Sequence, residues 1–390
     1  MKNITVFSFF NSSNIGDLLI AESAVEFFSG VPNCRFCNIS GEPIDIVQWR
    51  KQILQKQFCC SDAESQGRIK KALLKNSAAR SVISFCKSNQ SVVPQTVLKN
   101  SEGSDTVIFF GGNLVMELYK LPTSILVLYR SIAALKNSGK KVFLCAVGVG
   151  PFENRMSRKL AGEILKLTDG ISVRDDASYD LARQLAPQKK VSIIRDPVLT
   201  MDVPVGCETK NNAFGVNVYF GPYKKMHRKM EAAFVEAIRF LRNNYSHYTI
   251  YLFSSEKVDY DHVLAVKSYF QQDDRIVVRN IESPDELFKL HNQVDCVVGT
   301  RMHTIITAMI SHKPVLSLSW QGKVTSLVEF FENKQWNIPI KQFVKNPNLF
   351  SKTFESLICS KEKIVQRNQN KIAVIKHTYR EQIEKELEGA

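Results

Sequence analysis

No apolar run in the sequence approaches the ~18–20 residues that a membrane-spanning helix needs, which excludes a helical integral membrane protein. The first residues, Met1-Lys2-Asn3-Ile4-Thr5-Val6-Phe7, lack the long apolar stretch of an export signal, so a cytoplasmic protein is expected. There is no low-complexity tract and no short internal repeat. No Gly-x-Gly-x-x-Gly fingerprint and no phosphate-loop lysine occurs, which removes the two commonest signatures of nucleotide binding. The nine cysteines are odd in number and irregularly spaced. Without an export signal they read as reduced thiols. Cys34-x-x-Cys37 has a metal-like or redox-like spacing but no second pair, since adjacent Cys59 and Cys60 make a poor zinc half-site. The cysteines are therefore taken as core fillers, and no metal site is expected. Acidic residues are also in short supply: 38 against 52 basic ones, a net charge of +14.

That surplus is uneven. Residues 51–100 carry nine Lys and Arg against Asp62 and Glu64, half of the whole excess. Such a bias suits an anionic partner or simply a solvated basic face. No nucleic-acid motif or aromatic interleaving accompanies it, so nucleic acid is not expected. An anionic membrane surface or a diphosphate-linked acceptor fits better, with peripheral contact at the inner face of a membrane.

What is present is alternation. Apolar runs at Ile4–Phe9, Arg35–Ile39, Thr106–Phe110, Val142–Val147, Ile171–Val173 and Val191–Ile194 alternate with amphipathic segments at helical spacing. Residues 43–80 read as mostly helical and increasingly basic. Residues 196–212, with Asp196-Pro197, Pro204, Gly206 and Lys210-Asn211-Asn212, break the pattern and read as a linker. The alternation then restarts from Phe214–Val218. The expected fold is α/β: two Rossmann-like domains with an interdomain cleft, the GT-B-like arrangement of many glycosyltransferases. The expected bounds are 1–195 for the first domain, on the acceptor side, and 213–360 for the second, on the donor side. A charged surface helix is expected over 361–390.

Five strand-end loops hold the residues with chemistry. Asn14-Ile15-Gly16-Asp17 follows the first strand; its glycine permits close approach, and Asp17 could cap the next helix. Gly111-Gly112-Asn113 and Gly148-Val149-Gly150-Pro151 each follow a strand, and turn chemistry alone could explain them. Ser172-Val173-Arg174-Asp175 places an arginine at a strand end, suited to a carboxylate or phosphate, or to a plain ion pair with Asp175 or Asp176. In the second half, Asp295–Gly299 runs into Thr300-Arg301-Met302-His303, and Lys323 begins a later helix. A helix N-terminus with two cations and a histidine describes an anion site.

Taken in order, Asn14-x-Gly16-Asp17, Gly111-Gly112-Asn113, Gly148-x-Gly150-Pro151, Ser172-Val173-Arg174-Asp175, Asp196-Pro197, Gly299-Thr300-Arg301-Met302-His303 and Lys323 resemble the polysaccharide pyruvyl transferase family. The likeness runs over roughly residues 10–330. It departs from the family pattern at Asn113, where a third glycine is frequent, and at Cys145-Ala146-Val147, where Gly-Gln is frequent.

The resemblance implies a GT-B-like fold and transfer of an enolpyruvyl-derived unit from phosphoenolpyruvate to a sugar or lipid-linked oligosaccharide acceptor, without a further cofactor. By position it implies Arg301, Lys323 and the helix end for the phosphate, and Arg174 for the carboxylate. His303 is the expected general acid or base and Asp17 the group that orients the acceptor. Gly16, Gly112, Asn113, Gly148 and Gly150 line the substrate. Two other readings are open: a nucleotide-sugar glycosyltransferase using the same residues on a diphosphate, and a non-catalytic anion-binding subunit at a membrane.

Overall fold

The computed structural model describes residues 3–54, 86–117, 122–204, 212–221 and 224–388. The chain divides into two units. The first comprises Met1–Ser12, Ile20–Pro197 and Thr378–Ala390; the second comprises Ser13–Leu19 and Val198–His377.

In the first unit the strands are β1 (Ile4–Ser8), β2 (Cys34–Asn38), β3 (Thr106–Phe110), β4 (Lys141–Val147), β5 (Gly170–Val173) and β6 (Ser192–Ile193). They form one parallel sheet in the order β2-β1-β3-β4-β5-β6. Ile4 lies beside both Cys34 and Thr106. All five residues of β1 are buried, as expected of a parallel strand covered on both faces. Phe7 stacks on Phe109 with centroids 5.2 Å apart, and each such ring contributes roughly 1.5–3 kcal/mol by leaving water. The helices are α1 (Ile15–Phe28), α2 (Ile46–Leu54), α3 (Val93–Asn100), α4 (Thr123–Asn137), α5 (Arg155–Leu167) and α6 (Asp176–Leu185). The division between the units runs through α1, whose first five residues count with the second. Asn154 caps α5 through Met156 N at 2.8 Å, and Asp175 caps α6 through Ser178 N at 2.8 Å.

The second unit has β7 (Ala213–Asn217), β8 (Thr249–Ser254), β9 (Ile276–Asn280), β10 (Cys296–Gly299), β11 (Val315–Ser319) and β12 (Asn337–Pro339). The sheet is again parallel, in the order β12-β11-β10-β7-β8-β9. Its helices are α7 (His227–Asn244), α8 (Tyr260–Lys267), α9 (Pro284–Asn292), α10 (Met302–Ile310), α11 (Gly322–Phe330), α12 (Ile340–Lys345) and α13 (Pro347–Glu388). The strand order reverses between β7 and β10, as it does between β1 and β3 in the first unit. In open α/β sheets, the carboxyl ends of strands flanking such a reversal make the crevice that binds ligands. Two Rossmann-like sheets in one chain are what the alternation predicted.

Two expectations change. The linker at 196–212 is not a loose connector at its start. Asp196 is 4% exposed, and Val198, Leu199 and Met201 are buried around a short 3₁₀ turn at Pro197–Thr200; residues 205–211 lie outside the described residues. The C-terminal helix is neither confined to 361–390 nor a surface element. It starts at Pro347 and buries Phe350, Phe354, Leu357, Ile364, Ile372, Ile375, Tyr379, Ile383 and Leu387. Spacings of three, four, seven or eight make a stripe along one helix face. Near its end, Glu386 accepts from Ile171 N at 2.9 Å and from Ser192 Oγ at 2.7 Å, fixing β5 and β6. Of the basic surplus at 51–100, residues 55–85 lie outside the described residues. Among the described residues no helix is long and apolar enough to cross a membrane.

Burial pushes the Cys34 thiol up to about 12 and the Cys37 thiol up to about 11. Both stay protonated near neutral pH; Cys37 is a buried core residue as expected, whereas Cys34 is only partly buried.

Candidate active site

In the second unit, the switch point between β7 and β10 is closed by Asn217, the last residue of β7, which is fully buried. Its Oδ1 accepts from Arg301 N at 3.0 Å, from Thr300 N at 3.3 Å and from the Thr300 hydroxyl at 2.7 Å. This fixes the turn between β10 and α10. No side chain caps α10 itself, so its first-turn amides stand at the strand-end crevice, where a helix end favours negative charge.

Arg301 is the N-cap residue of α10, and its guanidinium is held from several sides. Nε and Nη2 each donate to one oxygen of Asp259 at 2.8 Å. Glu256 Oε2 lies 2.6 Å from Nη2. The guanidinium carbon sits 4.0 Å from the centre of the Tyr219 ring and 5.9 Å from that of Trp320, a stacked cation–π arrangement. Burial pushes the Asp259 carboxyl up to about 6 against the pull of Arg301, with Glu256 adding to the rise. Burial also pushes the Tyr219 hydroxyl up to about 12 and His262 down to about 4. His262 stacks on Phe220 with centroids 4.4 Å apart.

His303 lies in the first turn of α10, and Gly16 lies against it. A Cβ on Gly16 would stand 2.0 Å from Nδ1 of the imidazole. The approach is possible because residues 13–19 belong to this unit. Asn14 bridges to Glu256 as an isolated antiparallel pair, Ile15 N donates to Ser255 O at 3.3 Å, and the Thr304 hydroxyl donates to the Ser255 hydroxyl at 3.0 Å. Asn14, not Asp17, caps α1: its Oδ1 accepts from Gly16 N at 2.8 Å. Asp17 is instead the acidic residue of the first turn, two residues from Ile15 and one from the glycine that meets His303. Lys323 is 8% exposed in the first turn of α11, just after the loop that carries Trp320 beside Arg301.

In the first unit, the structure gathers the other predicted residues at strand ends. The Gly112 and Gly148 loops are joined by backbone bonds: Gly148 N to Gly112 O at 2.7 Å, Val115 N to Gly148 O at 3.2 Å and Gly150 N to Val115 O at 2.8 Å. Gly112 has φ of +70°, and a Cβ there would stand 2.2 Å from the Phe9 ring, so only glycine fits. Arg174 is 3% exposed. It pairs neither with Asp176, which takes Arg195 at 2.8 Å, nor closely with Asp175, whose oxygen is 4.0 Å from its Nε. Its Nη1 donates to Asp196 at 2.7 Å and its Nη2 to Asn113 Oδ1 at 2.5 Å. As it stands, the Arg174 fork orders the Asn113 loop.

Gly16, Asp17, Arg301, His303 and Lys323 thus share the second unit, and Gly112, Asn113, Gly148, Gly150 and Arg174 share the first. Sequence reasoning missed Asn217, Tyr219, Glu256, Asp259 and Trp320. For Asn217, Tyr219 and Trp320 the available signal was a polar or aromatic residue at or just past the carboxyl end of an apolar strand.

The sequence profile of the family described as Polysaccharide pyruvyl transferase matches residues 14–322. No curated protein matches the chain. Among solved structures, Anabaena HepE in complex with UDP-glucose is similar with a TM-score of 0.61 at 12% identity, covering 98% of this chain and 100% of that one. Staphylococcus aureus MnaA with UDP gives 0.56 at 14%, covering 94% and 90%. The UDP-GlcNAc 2-epimerase of Methanocaldococcus jannaschii gives 0.54 at 10%, covering 91% and 92%. At these identities the likeness concerns the fold, which is the GT-B-like one expected.

Proposed function

The chain belongs to the polysaccharide pyruvyl transferase family, and from that membership we propose that it moves the pyruvyl unit of phosphoenolpyruvate onto sugar hydroxyls of a surface polysaccharide or its lipid-linked precursor. The product is a ketal. The observation that carries the reading is the contact of Gly16 with the His303 imidazole. It joins two motifs far apart in sequence into one site, beside Arg301 and next to the uncapped start of α10.

The donor carries a phosphate and a carboxylate. Lys323, the first-turn amides of α10 and Arg301 provide the positive field for it. The reaction needs a proton on the donor's methylene carbon, which leaves a cationic carbon bearing the phosphate. One sugar hydroxyl adds there, the C–O bond to phosphate breaks, and a second hydroxyl closes the ketal. Of the two hydroxyl protons, one replaces that delivered to carbon and the other leaves on the phosphate. His303 is the group assigned to move them. Asp17, in the same first-turn region as Gly16, is assigned to orient the acceptor hydroxyl. Arg174 acts through Asn113, holding the strand-end loop of the first unit in shape.

Purified protein supplied with phosphoenolpyruvate and a cell-wall lipid extract is expected to release phosphate only when both are present. Folded protein that gives no donor-dependent product across a broad acceptor panel refutes the proposal. Thermal stabilisation by UDP- or GDP-sugars, with none by phosphoenolpyruvate, transfers the site to a nucleotide-sugar glycosyltransferase.

A further inference from the structure

An arginine that binds substrate is most useful when its fork is open, yet Arg301 has two of its three nitrogens engaged. Asp259 occupies the Nε–Nη2 edge with both oxygens at 2.8 Å, and Glu256 Oε2 lies 2.6 Å from Nη2 as a charge contact without hydrogen-bond geometry. The Asp259 side chain is 1% exposed and that of Arg301 18%, so this pair sits inside the unit rather than on its rim. Tyr219 lies under the guanidinium plane at 4.0 Å and blocks that face. Among the described residues, Nη1 has no protein acceptor. Nor has the buried indole nitrogen of Trp320, whose ring lies 5.9 Å from the guanidinium carbon. A buried indole N–H without an acceptor is a costly arrangement unless something else accepts from it, and Nη1 is the guanidinium nitrogen that neither carboxylate engages.

Resting on the donor assignment above, we propose that Asp259 and Glu256 are positioning residues. They grip Arg301 by one edge so that only Nη1, together with the Trp320 indole N–H, is presented to the anionic group of the donor. Glu256 also pairs with Asn14, in the segment that places Gly16 against His303. The grip therefore sets Arg301 relative to the proton carrier as well. Because two carboxylates already offset the Arg301 charge, the site selects by direction at Nη1 rather than by bulk positive charge. Lys323 and the α10 amides carry the remaining attraction.

The test is a double-mutant cycle on the full-length chain with Asp259→Asn and Arg301→Lys, read by calorimetric titration with phosphoenolpyruvate and by thermal unfolding. Asp259→Asn is expected to weaken donor binding roughly tenfold or more, the size of a lost hydrogen bond to a charged group. It should raise KM far more than it lowers kcat. In the Arg301→Lys background the same substitution should have little further effect. Trp320→Phe, which removes only the N–H, should also weaken the donor while leaving the unfolding temperature near that of the parent.

Wild-type affinity in Asp259→Asn, or a penalty undiminished in the Arg301→Lys background, overturns the proposal. Glu256→Gln, at a half-buried position, repeats the test if Asp259→Asn does not fold. If the parent protein binds no phosphoenolpyruvate at all, the donor assignment fails instead. The grip is then judged by unfolding alone: non-additive changes keep it, and additive ones remove it.

Discussion

Gly16→Ala adds one methyl group and should separate activity from stability. The new Cβ would stand 2.0 Å from Nδ1 of His303, 2.6 Å from Cγ and 2.9 Å from Cβ. Rotating the imidazole relieves the first two contacts. It cannot relieve the third, because the His303 Cβ is fixed to the backbone of α10. Either α10 or the first turn of α1 must shift as well. Overpacking of this kind costs ~1–3 kcal/mol, while replacing a helical glycine by alanine returns up to ~1 kcal/mol. The net destabilisation is therefore about 0–3 kcal/mol, and the fold survives. Turnover should not, since the displaced group is the assigned proton carrier, whose typical contribution is ~10²–10⁴-fold. Steady-state phosphate release and a thermal melt on the same preparation give both numbers. A Gly16→Ala protein with parental kcat, or one whose loss of activity is matched by wholesale unfolding, would refute the reasoning.

Asp196→Asn should destabilise the first unit by about 3–5 kcal/mol, because it leaves the buried Arg174 with only the more distant Asp175 as a charge partner; chemical denaturation measures this directly. His291 is fully buried, and burial, with Lys313 adding, pushes its pKa down to about 3. The unfolded state then binds the extra proton, so stability is fully present above about pH 6.5 and declines as pH falls towards 3. His291→Leu should flatten that part of a melting-temperature profile against pH, and an unchanged acid slope would count against it.

Most of the architecture was written in the apolar alternation, since strands such as Val142–Val147 and helices such as Met230–Asn243 announce themselves by period. The misses have local causes. β12 is three residues long and ends in Pro339, too short to show a period and closed by a residue that cannot donate a ladder bond. The start of α13 is masked in the sequence by Asn346-Pro347-Asn348, a turn-like triplet that here begins a helix, as proline at the first helical position can. The site was half legible. Arg301, His303 and Lys323 stand out as charged or titratable residues at strand ends. Asp259 and Glu256 do not, because an acid after β8 looks like any solvated loop until the arginine it grips is in view. The Gly16–His303 contact is a matter of tertiary structure alone, and no spacing rule reaches from one end of the chain to the other.

The allocation of residues 13–19 to the second unit has a practical consequence for anyone who would graft or dissect this protein. A gene fragment cut cleanly after Pro197 yields neither a complete first unit, which still requires Thr378 onwards, nor a complete second one. A second unit cut from Val198 and moved into a relative would arrive without the glycine that His303 rests on. Chimeras must exchange the first loop and the later segment together, and the two stretches are expected to change in concert as such enzymes diverge.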